Sequence, residues 1–243
     1  MMVGVAVNLK KMKQLLTYVL ILCFCTASAQ TLDHSKWTEI LQAYVADNGA
    51  VNYKGLQKNP ETLNAYLNDL AANAPKDNWS KAEKMAYWIN AYNAYTVQLI
   101  LNNYPTESIK DIRDPWGQTF FEIGGKTMSL NTVEHKILRP MGDSRIHFAI
   151  VCASESCPKL LNCAYEAESL TDQLDQAARE FITDASKNNI TASKITISKI
   201  FKWFKSDFPK EDAFISYLNK YSAENISPEA KINFQTYNWS LNE

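Results

Sequence analysis

Cysteine, glycine, proline and histidine are all scarce in this sequence, and neither sign of charge is in clear excess. The 243 residues include five cysteines, seven glycines, eight prolines and three histidines, and the formal net charge is −1. Nucleic-acid-binding domains are usually basic, so this charge gives no reason to expect a nucleic-acid partner. Five cysteines are too few for a small disulfide framework, and 12 % aromatic residues argue against a disordered or fibrous chain. The length fits one globular domain of ordinary size.

A long hydrophobic run is also missing, because the apolar residues 15–25 are fewer than the roughly 20 that a membrane-spanning helix needs. Lys10, Lys11 and Lys13 precede this run, and an Ala-Ser-Ala site ending at Ala29 follows it. This order predicts a secretory signal peptide over residues 1–29. Cleavage would leave 214 residues with a net charge of −4 and three cysteines. We therefore expect an exported protein, periplasmic or secreted, with no membrane span after cleavage.

Hydrophobic periodicity predicts helices in the first half of the chain. One is expected over residues 34–45, and a second begins after Asn59-Pro60. A third begins at the capping box Ser80-Lys-Ala-Glu83 and continues to about residue 102. This long helix is apolar nearly all round, which is typical of a helix buried in the middle of a domain.

Shorter elements are predicted in the second half. They are a hairpin over residues 120–128, a helix over 131–139 with an Asx cap, a buried strand over 146–151, a helix over 170–184, a hairpin from 188 to 197, helices over 199–208 and 211–221, and a strand over 232–239. No linker-like stretch divides residues 30–243. The fold class is therefore predicted as α+β, a single domain with a buried central helix packed on a small mixed or antiparallel sheet.

The segment from Cys152 to Pro158 carries the most reactive side chains. A nucleophilic thiol needs a base within hydrogen-bond reach and a group that orients this base. In a thiol-dependent enzyme, Cys157 would be the nucleophile, His135 the base, and Glu134 or an asparagine the orienting group. A disulfide between Cys152 and Cys157, or between Cys157 and Cys163, is the alternative that the short spacings allow.

Further polar residues are candidates for ligand binding, and each also has a structural explanation. Asn90 and Asn93 share one face of the apolar helix, where they could bind a ligand or fix loop backbone. Arg139 lies one turn after His135, and His147 would be on the opposite face of its strand from Cys152. The candidate binding residues are Asn90, Asn93, Arg139, His147, Ser154 and Ser156. No spacing in the sequence predicts a metal site or a cofactor.

Three strings of this sequence together resemble the bacterial and plant family catalogued as domain of unknown function 547. They are Tyr87-Trp-Ile-Asn-Ala-Tyr-Asn-Ala94, Ser129-Leu-Asn-Thr-Val-Glu-His-Lys-Ile-Leu-Arg139 and His147-Phe-Ala-Ile-Val-Cys-Ala-Ser-Glu-Ser-Cys-Pro158. The resemblance covers about residues 79–221 and implies an exported bacterial protein with no established activity. A distant similarity to the papain- and transglutaminase-like fold is also implied. Plant members tend to carry serine at the position of Cys157, which is compatible with a disulfide specific to the bacterial proteins.

Three functions are compatible with these residues. The first is a peptide- or glycan-binding envelope domain with a polar cleft, which takes a small-molecule, peptide or glycan ligand. The second is a thiol-dependent hydrolase or acyl transferase that uses Cys157 and His135. The third is a degenerate catalytic fold with a structural role. The sequence leaves the oligomeric state open.

Overall fold

The computed structural model describes residues 31–210 and 212–243, so the predicted signal peptide lies outside the described residues. Residues 31–243 cluster into one compact unit. Within the described part of the chain, no helix is both long enough and apolar enough to cross a membrane.

Four helices form the N-terminal half. They are α1 (Ser35–Tyr44), α2 (Tyr53–Lys58), α3 (Glu61–Ala72) and α4 (Lys81–Asn103). The predictions of α1, α3 and α4 are confirmed, whereas α2 is not predicted by the sequence pattern. The capping box is present, because the Ser80 side chain accepts from the Glu83 amide and the Glu83 carboxylate accepts from the Ser80 amide. Helix α4 is buried along most of its length and contacts α2 and α3.

The second half is made of short elements. They are a 3₁₀ helix (Ile109–Asp111), the hairpin β1 (Phe121–Ile123) and β2 (Lys126–Met128), a π-helix (Thr132–Leu138), two 3₁₀ helices (Arg139–Met141 and Ser144–Phe148), α5 (Leu170–Thr183), β3 (Asn189–Ile190), β4 (Lys194–Ile197), α6 (Ile200–Trp203), α7 (Asp212–Tyr221) and β5 (Lys231–Phe234). Both hairpins are therefore confirmed. The fold is α+β in a single domain, as predicted.

The larger sheet has three strands in the order β3, β4, β5. Strand β4 is antiparallel to β3 and parallel to β5. Ile195 and Ile197 of β4 are fully buried and belong to the same hydrophobic cluster as Phe181 of α5 and Leu218 of α7. Helix α4 instead packs mainly on α2, α3 and the π-helix. The sheet and the central helix therefore belong to two neighbouring parts of the core.

The prediction of a strand over residues 146–151 is wrong. This segment contains the end of the 3₁₀ helix Ser144–Phe148 and an irregular stretch after it. The helix begins where the Asp143 side chain accepts from the Arg145 amide at 3.0 Å. In a short apolar run, hydrophobic periodicity does not distinguish a strand from a buried helical turn, so the sequence pattern could not identify the secondary structure of this segment.

Three other predictions hold only in part. Of the helix predicted over residues 199–208 only Ile200–Trp203 is α-helical, and the last strand stops at Phe234. The helix predicted over residues 131–139 is helical, but Asn131 makes no side-chain cap. Residue 131 is already in the helical region, and the Ser129 side chain instead accepts from the Thr132 amide at 3.2 Å.

Candidate functional site

Two of the three cysteines that follow the 3₁₀ helix Ser144–Phe148, Cys152 and Cys157, are in contact through their sulfur atoms. The Sγ atoms of Cys152 and Cys157 are 3.1 Å apart, and the Cys152 amide donates to Sγ of Cys157 at 2.9 Å. Cys157 is buried and Cys152 is half-buried. Cys163 lies apart, with its sulfur 3.9 Å from the side-chain nitrogen of Gln173. All three are free thiols. In the structure the Cys152 and Cys157 thiols are therefore in hydrogen-bond contact, and the disulfides that the spacings allow stay predictions.

A tight turn brings the two thiols together. The Cys157 amide donates to the Ser154 carbonyl at 2.9 Å, and Ala153 has a φ of 54°. This left-handed conformation is unfavourable for a residue with a Cβ atom, so the surrounding structure must hold it.

The C-terminal segment provides that support. The amides of Glu155 and Ser156 donate to the carbonyls of Ser240 and Asn238, at 2.9 and 3.2 Å respectively. The Asn238 amide donates in turn to the Ser156 hydroxyl at 2.8 Å. The predicted binding residue Ser156 therefore holds the cysteine turn in place.

Asn90 and Asn93 each clamp one stretch of loop backbone against α4. Asn90 donates to the Tyr165 carbonyl at 2.8 Å and accepts from the Tyr165 amide at 2.9 Å. Asn93 donates to the Ala149 carbonyl at 2.9 Å and accepts from the Val151 amide at 3.0 Å. Both side chains are fully buried. The geometry supports the structural explanation for this pair, with Asn93 fixing the backbone directly before Cys152.

Glu134 is a buried carboxyl group with one unpaired oxygen. Its Oε2 accepts from the Tyr92 hydroxyl at 3.2 Å, and Oε1 has no hydrogen-bond partner among the described residues. Burial raises the pKa of Glu134 to about 7, against the opposing effects of the Tyr92 hydrogen bond and the Arg139 charge. Near neutral pH this group therefore exists in both protonation states.

His147 is held by an acidic residue that the sequence reading does not single out. Its Nε2 lies 2.8 Å from Oδ2 of Asp207, and its ring stacks on Phe204 with the centroids 4.0 Å apart. Burial lowers the pKa of His147 to about 4, although Asp207 acts in the other direction. The neutral ring therefore donates through Nε2, and its Nδ1, which has no partner in the described part of the chain, is an acceptor.

Arg139 occupies the other side of Asp207. It donates through Nε and Nη2 to the two carboxylate oxygens, at 2.6 and 2.8 Å, and these bonds hold the pKa of Asp207 well below its usual range. Its Nη1 lies 2.9 Å from Nδ1 of His135. Burial and the Arg139 charge lower the pKa of His135. His135 is thus adjacent to Arg139, and Glu134 points to Tyr92 rather than to His135.

One cavity of about 310 Å³ connects several of these groups. Its polar lining includes Glu134, His135, His147, Asn131 and the two thiols Cys152 and Cys157. Its aromatic lining consists of Tyr92, Trp116, Trp203, Phe204, Tyr237 and Trp239. Trp203 is 46 % exposed and stacks on Trp239 with the ring centroids 5.6 Å apart. The cavity is therefore a largely apolar pocket with a few polar groups, which is typical of small-molecule sites.

All three predicted catalytic residues line this cavity, but they do not form the predicted relay. The hydrogen-bond contacts of Cys157 Sγ are with Cys152, and the ring of His135 contacts Arg139. Of the predicted binding residues, only His147 lines the cavity. Ser154 is buried and is not part of the cavity lining, but its hydroxyl contacts Cys152 Sγ at 3.1 Å.

Sequence reasoning missed Asp207 and the aromatic residues that surround the thiols. Tyr237 is the clearest case, because its hydroxyl lies 3.2 Å from Sγ of Cys152 across 85 residues of sequence. No local signal sets these aromatic residues apart, because Trp203 and Phe204 fall in the helix predicted over residues 199–208 and Tyr237 and Trp239 in the strand predicted over residues 232–239.

Comparison with known proteins gives one match. Residues 76–182 match the model of the family described as "Protein of unknown function, DUF547", which confirms the resemblance carried by the three sequence strings. No curated protein and no solved structure matches the chain. The matched residues include Glu134, His147 and both thiols, whereas Asp207, Trp203 and Tyr237 lie beyond them.

Proposed function

We propose that this protein, which carries a DUF547 family domain over residues 76–182, binds a glycan in its aromatic cavity. The observation that carries the proposal is that two unpaired polar atoms, Oε1 of Glu134 and Nδ1 of His147, belong to side chains lining the same aromatic-walled cavity. Buried polar atoms without a partner cost free energy, and a ligand that pairs with them recovers it. This arrangement favours a ligand with both polar and apolar faces.

A sugar ring has this double character. Its C–H face is apolar and can pack on the rings of Trp203 and Trp239, while its hydroxyl groups both donate and accept hydrogen bonds. Both atoms are buried, so a ligand hydroxyl reaches them only after a small movement of the side chains that line the cavity. It can then donate to Nδ1 of neutral His147 and pair with Glu134 in either protonation state. A volume of about 310 Å³ is near the lower end of the range of about 300–1,000 Å³ for ligand sites. The site therefore suits one end of a glycan or a short oligosaccharide.

A peptide is the other occupant that a partly polar cleft could accept. An aromatic side chain would fill the apolar part of the cavity, but backbone amides would have to lie at the right positions to pair with Oε1 of Glu134 and Nδ1 of His147. A sugar carries its hydroxyl groups on the same ring as its apolar face, so we favour the glycan.

The thiol-dependent hydrolase has less support than binding. A cysteine nucleophile of that kind needs a base in hydrogen-bond contact, and the described contacts of Cys157 are with Cys152 while those of His135 are with Arg139. The purely structural role is also disfavoured, because it would give no reason for a buried carboxyl and a buried imidazole to line one cavity with unpaired atoms.

Isothermal titration calorimetry with neutral and N-acetylated di- and trisaccharides tests the proposal. We expect binding that weakens by at least about tenfold in Trp203→Ala, a loss of about 1.4 kcal/mol. Phe234→Ala is the matched control, because Phe234 is a comparably exposed aromatic residue outside the cavity lining. It should leave the affinity unchanged.

The same titration with aromatic tripeptides separates the two occupants. If the peptides bind and no sugar does, the ligand of this cavity is a peptide and the glycan proposal is wrong. Binding of neither probe class, or equal loss in Trp203→Ala and Phe234→Ala, would overturn the proposal.

A further inference from the structure

Cys152 and Cys157 are arranged asymmetrically with respect to the cavity. Cys152 is half-buried, whereas Cys157 is only 5 % exposed and contacts Sγ of Cys152 at 3.1 Å. The turn that holds them includes Ala153 in the left-handed region, so the contact is maintained against an unfavourable backbone conformation. Both residues line the cavity, and Cys152 is the more exposed of the two, so it is the thiol that a reagent in the cavity meets more readily.

Two hydroxyl groups contact the sulfur of Cys152. The Tyr237 hydroxyl lies 3.2 Å and the Ser154 hydroxyl 3.1 Å from Sγ of Cys152, and the two hydroxyls are themselves 3.2 Å apart. O–H and S–H donors around a sulfur stabilise its thiolate form. No histidine of the described chain contacts either thiol in the hydrogen-bond pattern, so this environment suits thiol–disulfide exchange better than acyl transfer, which requires a base for the nucleophile.

We propose that Cys152 and Cys157 form a redox-active dithiol that reduces small disulfides entering the aromatic cavity, with Cys152 attacking and Cys157 resolving. The Cys152 thiolate attacks one sulfur of the disulfide, whose S–S bond breaks, and the departing thiolate takes up a proton. A mixed disulfide on Cys152 results. Cys157 then loses its proton, its sulfur attacks Sγ of Cys152, and the second thiol leaves carrying that proton. The small disulfide gains two electrons and two protons, and the protein is oxidised to a Cys152–Cys157 disulfide.

The acidities of the two thiols agree with this order. The hydrogen bond shared with Cys157 lowers the pKa of Cys152, and this bond together with those to Ser154 and Tyr237 outweighs the effect of burial. Burial and the hydrogen bond to Cys152 raise the pKa of Cys157 well above its usual range. An attacking thiol needs appreciable thiolate at the working pH, whereas a resolving thiol acts only after the mixed disulfide has formed.

The reaction of the fully reduced protein with 2-hydroxyethyl disulfide tests the proposal directly. Mass spectrometry of the intact protein and of its peptides should show loss of two hydrogen atoms and a disulfide that joins Cys152 to Cys157. In Cys157→Ser the reaction should stop at a stable mercaptoethanol adduct on Cys152. In Cys152→Ser the rate of modification should fall by at least about tenfold.

Cys163→Ser is the matched control, because Cys163 is a half-buried thiol of the same segment that contacts neither member of the pair. It should react at the rate of the unmodified protein. If a thiol variant does not fold, rapid acid quenching of the unmodified protein still identifies which cysteine carries the first adduct. A first adduct on Cys157 or Cys163, or no Cys152–Cys157 disulfide at the end of the reaction, would refute the assignment.

The redox proposal and the glycan proposal can fail separately. The exchange reaction contains no sugar, and the sugar titration uses fully reduced protein. Thiol–disulfide exchange without sugar binding would support the dithiol assignment and refute the glycan proposal. Sugar binding without exchange would support the glycan proposal and refute the dithiol assignment.

Discussion

The ring of His147 and the carboxylate of Asp207 are joined by a 2.8 Å hydrogen bond, although 60 residues separate them in the sequence. His147 lies at the end of a 3₁₀ helix, and Asp207 follows α6. The bond fixes Nε2 of His147 as the protonated nitrogen, so that Nδ1 is an acceptor. Asp207 therefore determines the hydrogen-bonding character of one of the polar groups lining the cavity.

Asp207→Asn should lower the free energy of unfolding of the protein and also the pKa of His147. Asp207 accepts charged hydrogen bonds from Arg139, and their loss should reduce the free energy of unfolding by about 2 kcal/mol. Its hydrogen bond and charge also oppose the effect of burial on His147, so the His147 pKa should fall below about 4. Chemical denaturation and proton NMR titration measure the two effects.

Asp69→Asn is a suitable control for that substitution. The Lys36–Asp69 pair is exposed, and such pairs contribute about 0–1 kcal/mol. Equal destabilisation by the two substitutions would contradict the role given to Asp207.

Asn93→Ala should strongly destabilise the fold. The change leaves the Ala149 carbonyl and the Val151 amide unpaired in the core, which costs about 2–4 kcal/mol of unfolding free energy. Asn103→Ala removes a single hydrogen bond at the end of α4 and should cost under about 1 kcal/mol. Urea denaturation of both variants checks the difference, and similar midpoints would show that Asn93 is not a clamp.

Glu134→Gln should change how stability depends on pH. The pKa of Glu134 is raised by burial to about 7 from 4.5, so the folded state binds more protons than the unfolded state between these values. The unmodified protein therefore loses up to about 3 kcal/mol of stability as pH rises from 4.5 to 7, and no more above that range. Glutamine cannot ionise, so this loss disappears in the variant.

The difference between the two proteins is the quantity to measure. His147 and His34, each with its pKa lowered by burial to about 4, make the stability of both proteins rise as pH increases from 4 to 6.5. Subtraction removes that common contribution. A difference in unfolding free energy that is constant from pH 4.5 to 8 would contradict the raised pKa of Glu134.

Substitutions at Ala153 test the backbone conformation of the cysteine turn. Glycine accepts a positive φ readily, so Ala153→Gly should change the free energy of unfolding by no more than about 0.5 kcal/mol. Valine is strained there and should reduce it by about 2 kcal/mol or more. Ala91→Gly, within the buried helix α4, should instead cost about 1 kcal/mol. Thermal and chemical unfolding would contradict the turn geometry if both glycine substitutions cost the same.

The elements that the sequence predicts well are those with long or strongly local signals. The capping box at Ser80 and the apolar surface of α4 identify a buried helix without any tertiary information. The two hairpins follow from turn residues such as Gly124-Gly125, both of which have positive φ. These features depend on residues a few positions apart, so the sequence alone determined them.

The tertiary structure decided everything that depends on distant residues. The run of residues 146–151 is equally compatible with a strand and a helical turn, and the Asn93 clamp from α4 helps hold it as loop. Cys152 is an identifiable thiol in the sequence, but its hydroxyl partner Tyr237 comes from the C-terminal segment. His147 is equally visible, yet Asp207 sets its tautomer. Local pattern therefore determined which side chains are available, and long-range packing determined their partners, because desolvation and hydrogen bonding depend on what lies nearby in space.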